Sequence, residues 1–268
     1  MDATRPHHIV RYERGDAATR AVSGDDMLVD EAPVEFRLGD VPIAVLMRTP
    51  GDDQALAVGF AITEGIVLGP QEIAAVTPLA GRDQGDRWVI ELASGVQVDP
   101  EQFRRNLYAT SSCGVCGKAS IDAVRVAAPE LPEGPAVSPD VVLSLPAVMH
   151  AEQTAFHRTG GIHAAALFTA DGRLEVMAED IGRHNAVDKV VGYAAQSRWP
   201  IGESIMLVSG RVSFEMVQKA AVAGIPVLCG VSAASSLAAD LGDELGMTVI
   251  GFLREGGFNA YAGARRLA

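Results

Sequence analysis

The sequence predicts a mixed α/β protein, in which a three-layer α/β sandwich follows a smaller α+β unit. Three observations carry this. Between Ser204 and Leu253 three apolar strand patterns alternate with two helix patterns, an order that right-handed crossovers turn into a parallel sheet. Just upstream, Ile162–Phe168 and Leu174–Ala178 flank Ala170-Asp171-Gly172, the spacing of a hairpin set at one side of that sheet. With 268 residues, 48% of them hydrophobic, the chain can bury a sizeable interior and lies near the upper size for a single core.

Residues 1–24 show no clear period and are expected to form a loose N-terminal arm. Residues 25–128 read as the small α+β domain. Val34, Phe36 and Leu38 alternate, Gly39-Asp40 interrupts, and Val41, Ile43, Val45 and Met47 alternate again, predicting a β-hairpin. After Pro50-Gly51, Asp52 is placed to cap a helix whose apolar stripe is Leu56, Phe60, Thr63 and Ile66. A second hairpin is expected over Trp88–Val98, turning at Ala93-Ser94-Gly95. The domain ends in a loop, residues 106–120, containing Ser111-Ser112-Cys113-Gly114-Val115-Cys116-Gly117, which is unsuited to a strand or to the middle of a helix. Five of the fourteen prolines fall between Pro129 and Pro146, so residues 129–146 read as a connection between domains.

Residues 147–268 form the predicted sandwich. Ser144 is expected to cap a helix that runs to about His157 and stops at Gly160-Gly161. After the hairpin, a helix from Asn185 would bury Ala186, Val187, Val190, Val191 and Ala194. Then come strand Ser204–Val208 with a helix from Ser213, strand Pro226–Val231 with a helix from Ser235, and strand Met247–Leu253.

Composition narrows the function. Lys+Arg number 22 against 34 Asp+Glu, a formal charge of −12, which argues against holding duplex nucleic acid or an anionic membrane by bulk electrostatics. Met1–Arg20 has charges of both signs and no apolar block, and no apolar run reaches the ~20 residues of a membrane span. Three cysteines, Cys113, Cys116 and Cys229, are too few for a disulfide scaffold. The expectation is a soluble cytoplasmic protein with reduced thiols, no nucleic-acid partner and no membrane partner.

Cys113 and Cys116 form a C-x-x-C in a glycine-flanked loop, where backbone N–H groups can face sulfur and favour a thiolate. A structural zinc site would need two more ligands; there is no second C-x-x-C, and His163 or His184 are the obvious extra candidates. A thioredoxin-like redox pair belongs in a smaller fold, at the end of an early strand. The polar, flexible setting favours a mobile nucleophilic thiolate, whereas Cys229, inside an apolar strand, reads as a core residue. His163-Ala164-Ala165 has Ala165 where a zinc deaminase carries its proton-shuttling glutamate, and the C-x-x-C lies on the wrong side of it. The hairpin-then-βαβ order nonetheless resembles the deaminase scaffold, which can be shared without the chemistry.

Three loops leave the carboxyl edge of the predicted parallel sheet, where ligands of open α/β folds bind: Ser209-Gly210-Arg211, Ser232 through Ser236, and Arg254-Glu255-Gly256-Gly257. Two of them lead into helix N-termini, which favour phosphate, although each serine on its own is an ordinary cap. Neither a Walker lysine motif nor G-x-G-x-x-G is present, so neither ATP hydrolysis nor hydride transfer is indicated. Glu179 through Lys189 concentrates Asp180, Arg183, His184, Asn185 and Asp188 between a strand and a helix, a grouping as suited to binding as to capping. No second acid–base partner stands beside His184 in sequence, so the cluster is expected to support a ligand rather than to move protons.

The C-x-x-C segment, Glu179 through Lys189, Ser209-Gly210-Arg211-Val212-Ser213-Phe214-Glu215-Met216 and the closing Gly251-Phe252 together resemble the formate dehydrogenase accessory sulfurtransferase (FdhD) family. The resemblance extends over nearly the whole chain beyond the arm. It implies a cytidine deaminase-like C-terminal domain, a homodimer, and a sulfurtransferase that takes sulfur as a persulfide from a cysteine desulfurase. The sulfur would go to molybdenum cofactor in its bis(molybdopterin guanine dinucleotide) form, bound as substrate, for formate dehydrogenase; no protein-held zinc is expected. It further implies Cys113 as the persulfide carrier with Cys116 auxiliary, and Phe252, Leu253, Arg254, Glu255, Gly256 and Gly257 as the cofactor-binding stretch. Arg183, His184, Asn185, Ser209, Gly210, Arg211 and Ser232 would support the bound cofactor. The alternative is a non-catalytic chaperone that binds the cofactor and its target enzyme.

Overall fold

The structure, a computed structural model, describes residues 3–15, 18–79, 86–99, 131 and 133–268. It contains three sheets. Strands β1 (Thr4–Arg14) and β2 (Thr19–Val29) form an antiparallel ribbon, so the described part of residues 1–24 is not the loose arm expected from sequence. Both faces of the ribbon are largely exposed, which removes the alternation of apolar and polar residues that would have revealed it. Ion pairs Arg5–Asp30, Arg11–Asp26 and Arg20–Glu13 hold it across the strands.

The second sheet has the order β4-β3-β6-β5, with β3 Ala32–Leu38, β4 Val41–Arg48, β5 Ile73–Pro78 and β6 Arg87–Leu92. The β3–β4 hairpin is as expected, turning at Gly39 with φ +54°. A register shift between Phe36 and Arg37 changes the phase of β4. Ile43 and Ala44 both point inward, and Val45 and Met47, expected on the buried face, are exposed. The expected hairpin over 88–98 does not form. The chain after Leu92 is irregular, and β6 instead pairs antiparallel with β5 and parallel with β3. A register shift between Ile73 and Ala75 breaks the alternation by which β5 could have been read.

Helix α1 (Asp53–Thr63) begins where expected, although Asp52 adopts the left-handed conformation and its side chain makes no capping bond. Helix α2 (Pro139–Glu152) starts in the second half of the supposed connection. Its cap is Ser138, not Ser144, and Pro139 occupies the first turn, where no N–H is needed. Ser144 instead donates back to the Val141 carbonyl at 2.7 Å. The helix ends at Gln153, and a short α3 (Thr154–Thr159) follows, stopped by left-handed Gly160. Both first-turn N–H groups of Ala155 and Phe156 donate to the Glu179 carboxylate at 2.8 Å.

The third sheet has the order β12-β11-β10-β9-β7-β8. Its centre is parallel, as predicted: β9 (Ser204–Val208), β10 (Val227–Gly230) and β11 (Thr248–Arg254). The β7 (His163–Thr169) and β8 (Leu174–Asp180) hairpin flanks β9 antiparallel, and β12 (Gly257–Ala262), absent from the sequence reading, closes the far side. Helices α4 (Arg183–Ala195), α5 (Phe214–Val222) and α6 (Ser236–Glu244) cover one face of this sheet. Val142, Leu145 and Met149 of α2 cover the other, packing on Ala166, Phe168, Leu207 and Cys229. This is the expected three-layer sandwich. One continuous apolar cluster then runs from its helix layer through α1 to Val34, Phe36 and Ile43 of the small sheet. Among the described residues no helix is long and apolar enough to cross a membrane.

Helix α1 lies directly on α4 at two glycines. A Cβ on Gly59 would stand 1.7 Å from the Asp188 carbonyl oxygen, and one on Gly192 would stand 1.9 Å from that of Ala55. Backbone meets backbone at this crossing.

Candidate functional site

The carboxyl edge of the parallel strands gathers most of the residues singled out in the sequence. Val208 ends β9 opposite Ala165, so His163, at the start of β7, lies beyond the strand end beside Gly210. Asp180 is opposite His163 and ends β8 at the same edge. From there the chain turns into α4, which begins at Arg183 rather than at Asn185.

Asp180 organises that turn. It is fully buried, and one carboxylate oxygen accepts from the Gly182 N–H at 2.8 Å and the Asn185 amide at 2.9 Å. The other accepts from the Thr49 N–H at 3.1 Å and pairs with Lys189 at 2.8 Å. Lys189 also donates to the Thr49 carbonyl, and the Thr49 hydroxyl accepts from the Ile181 N–H. Asn185 spends a second donor on the Met47 carbonyl at 2.8 Å. Thus Asn185, offered as a cofactor-supporting residue, has its side chain turned into the protein, where it fixes the turn that presents Arg183 and His184. Thr49, which no local pattern singled out, is part of the same anchorage.

His184 meets Glu215 of α5, with Nε2 3.2 Å from Oε2. The Ser213 hydroxyl donates to the same oxygen at 3.0 Å. Burial works to raise the Glu215 pKa, but the bonds from His184 and Ser213 and the charge of Arg183 outweigh it and hold the carboxyl below its ordinary value. A carboxylate only accepts, so the hydrogen between the two lies on His184 Nε2.

Across from it, His163 Nδ1 is 3.4 Å from the Ser209 hydroxyl oxygen, which itself accepts the Ala164 N–H at 3.0 Å. Burial, reinforced by the charges of Arg183 and His184 and opposed by Asp180, pushes the His163 pKa down. Gly210 sits between the two halves: a Cβ there would lie 3.6 Å from Arg183 Cδ and 3.7 Å from the His163 ring. The Arg183 Nε is buried, with no hydrogen-bond partner among the described residues.

The loops after β9 and β10 and the end of β11 are stitched together by their backbones. Ser232 N–H donates to the Gly210 carbonyl at 3.4 Å, Val212 N–H to Ala233 at 3.0 Å, and Phe252 N–H to Ser232 at 2.9 Å. Phe252 adopts φ +52°, a left-handed conformation unusual for a bulky residue, and its ring is 43% exposed. A register irregularity between Gly251 and Arg254 accompanies it. Arg254, Glu255 and Gly256 are exposed, and Glu255-Gly256 form the tight turn into β12, so this segment is a hairpin and not an open loop. Leu253 is fully buried against the α2 side of the sheet, so only its backbone is available to a ligand. Arg211 is exposed at the rim.

Cys113 and Cys116 lie outside the described residues. Cys229 is buried in the core as expected, and burial pushes its thiol pKa up, away from thiolate chemistry. Among the described residues no three His, Cys, Asp or Glu side chains converge as metal ligands.

The sequence profile described as the FdhD/NarQ family matches residues 29–268. A Streptomyces coelicolor protein named sulfur carrier protein FdhD is 48% identical over 274 residues, covering 99% of this chain and 96% of that protein. A Mycobacterium tuberculosis protein of the same name is 44% identical over 278 residues, covering all of both chains. Among solved structures, one from Desulfotalea psychrophila, described as a formate dehydrogenase accessory protein, superposes with a TM-score of 0.76 at 22% identity over the full length of both chains, a likeness of fold.

Proposed function

The chain belongs to the FdhD/NarQ family, and from that membership we propose that it carries sulfur for the maturation of a formate dehydrogenase. In this reading the Cys113 thiolate attacks the outer sulfur of a persulfide on a cysteine desulfurase. A new S–S bond forms on Cys113, the desulfurase cysteine leaves as thiolate, and Cys116 assists or resolves the product. The substrate that receives the sulfur is molybdenum cofactor in its bis(molybdopterin guanine dinucleotide) form. It would lie along the carboxyl edge of the six-stranded sheet, against the backbone of Phe252–Gly257, with Ser209, Gly210, Arg211, Ser232, Arg183 and His184 around it. The protein would act as a cytoplasmic homodimer.

The observation that supports this placement is the edge itself. Gly210, Ser232 and Phe252 are hydrogen-bonded in sequence across three strand ends, and the buried Arg183 Nε beside Gly210 has no partner among the described residues. A cationic donor held without an acceptor suits an anionic ligand.

The test is mass spectrometry of the protein after incubation with a cysteine desulfurase and cysteine. One added sulfur appears as a ~32 Da adduct on a thiol. The wild type and Cys116→Ala should take up the adduct, and Cys113→Ala should fail to activate formate dehydrogenase. A wild-type protein that gains no sulfur overturns the reading. A Cys113→Ala variant that still activates the enzyme would favour a cofactor-binding chaperone.

A further inference from the structure

Arg48, Lys189 and Lys219 are buried cations, and each has its acid: Asp53 and Asp86, Asp180, and Asp188 with Glu64, respectively. Arg183 differs. It is partly buried, yet it makes no hydrogen bond or ion pair among the described residues. Its Nε is enclosed without an acceptor, so the terminal nitrogens are the ones that reach the surface. Its stem passes Gly210, where a Cβ would lie 3.6 Å from Arg183 Cδ, which puts the side chain just past the end of β9. Its charge reaches both His163 of β7 and Glu215 of α5. Glu215 is engaged elsewhere, by His184 at 3.2 Å and Ser213 at 3.0 Å. The serines of the same edge are engaged too. Ser209 accepts the Ala164 N–H at 3.0 Å, Ser213 donates to Glu215, and Ser235 caps α6 through the Ala238 N–H at 3.2 Å. Arg211 and Arg254 are exposed, so a pairing there is more screened than one at Arg183.

We infer that Arg183 is the diphosphate-binding residue of this edge, its terminal nitrogens taking oxygens of the diphosphate of the guanine dinucleotide. The inference rests on the reading that lays this ligand along Phe252–Gly257. A guanidinium presents paired N–H donors in one plane, the arrangement that two phosphate oxygens accept together. No bond ties the side chain down, so it can turn to the ligand without breaking one. Its backbone, in contrast, is fixed: Asp180 holds the turn through Gly182 at 2.8 Å and Asn185 at 2.9 Å. The span is also right. Gly210, Ser232 and Phe252 are bonded in succession across three strand ends, so two strand spacings, roughly 10 Å, separate Gly210 from Phe252. A nucleoside diphosphate can bridge that distance with its base at Phe252 and its phosphates at Arg183.

The experiment is calorimetry on the full chain with guanosine diphosphate and with guanosine, using wild type, Arg183→Ala, Arg183→Lys and Arg254→Ala. The readout is the ratio of the two affinities, which a general loosening of the fold leaves unchanged. Arg183→Ala should bind guanosine as wild type does and bind guanosine diphosphate roughly tenfold or more weakly. Arg183→Lys keeps the charge without the fork and should fall between the two. Should guanosine bind too weakly to titrate, the diphosphate affinity decides, with Arg183→Lys retaining more of it than Arg183→Ala. An unchanged ratio in Arg183→Ala, or equal diphosphate affinities there and in wild type, overturns the inference and leaves the ligand placement standing. A ratio that falls only in Arg254→Ala also overturns it and puts the diphosphate at the turn after β11. A wild type that binds no guanosine diphosphate overturns the placement itself, and the inference with it.

Discussion

Lys219 and Asp188 form an ion pair at 2.9 Å in the interior, where α1, α4 and α5 meet. Lys219 also reaches Glu64 at 2.9 Å and the Thr63 hydroxyl at 2.8 Å, so from α5 it ties α4 to the C-terminal end of α1. Burial pushes the ammonium pKa down, but the charges of Asp188 and Glu64 outweigh it and hold the group above its ordinary value. Removing one member leaves a buried charge uncompensated. Lys219→Ala should therefore cost about 3–5 kcal/mol in urea unfolding, and the double change Lys219→Met with Asp188→Leu should cost less than the single one. A loss under about 1 kcal/mol for Lys219→Ala would show that the pair is not holding the helices together.

The helix crossing at Gly59 and Gly192 gives a second expectation. No side-chain rotation relieves a Cβ placed within 2 Å of a carbonyl oxygen on the facing helix. Gly59→Ala or Gly192→Ala should force α1 and α4 apart and lower stability by about 3 kcal/mol or more. Gly24→Ala, in the exposed ribbon with nothing within 4 Å of the added methyl, is the control and should stay within about 0.5 kcal/mol of wild type. Thermal unfolding of the three variants separates these outcomes.

Arg254 and Leu253 are neighbours with opposite exposures, which lets ligand binding be separated from stability. If the guanine dinucleotide lies along Phe252–Gly257, guanosine diphosphate should bind there as a fragment. Loss of a hydrogen bond from a charged group is worth ~1.5–3 kcal/mol, so Arg254→Ala should weaken binding roughly tenfold or more in calorimetry. Leu253→Ala should instead cost about 2–5 kcal/mol of stability through the cavity it leaves in the core. Unchanged affinity in Arg254→Ala would remove that side chain from the site.

His163 makes stability depend on pH in a defined window. Its folded pKa lies below the ordinary 6.5, so the unfolded chain binds a proton more readily than the folded one. Stability contributed by the neutral ring is complete above about pH 6.5 and falls as pH drops below it, until the folded ring is protonated too. The ionised Glu215 acts lower, from its ordinary 4.5 downward, so it does not blur this range. Between about pH 6.5 and pH 5, the melting temperature of His163→Gln should fall less steeply than that of wild type. Parallel slopes would contradict the assignment.

Much of the C-terminal sheet was legible because its signal is local. Ser204–Val208 and the two strands after it are short apolar runs separated by helix patterns and serine caps, and the structure places them as parallel neighbours. Register shifts concealed what was missed. β5 escaped notice because the shift at Ile73/Ala75 breaks its alternation, and Val45 and Met47 were placed on the wrong face because the shift at Phe36/Arg37 reverses the phase of β4. The ribbon of β1 and β2 escaped because neither of its faces packs on a core.

The sequence by itself determined the fold class, the carboxyl edge as the place where the segments at Ser209, Ser232 and Arg254 emerge, and the burial of Cys229, since each follows from periodicity or polarity within a few residues. Only the tertiary structure decided what the polar residues at that edge do. Asn185 turns inward because its acceptor, the Met47 carbonyl, lies 138 positions away, and Asp180 is anchored by Thr49 across 131. His184 gains the acid partner it lacks in sequence because α4 and α5 pack side by side and bring Glu215 to it from 31 positions away. The physical reason is that hydrophobic patterning specifies which face of an element is buried. Hydrogen-bond partners at an edge are specified by how separate elements meet, and that depends on register and on close contacts such as Gly59 against Asp188 that no local pattern encodes.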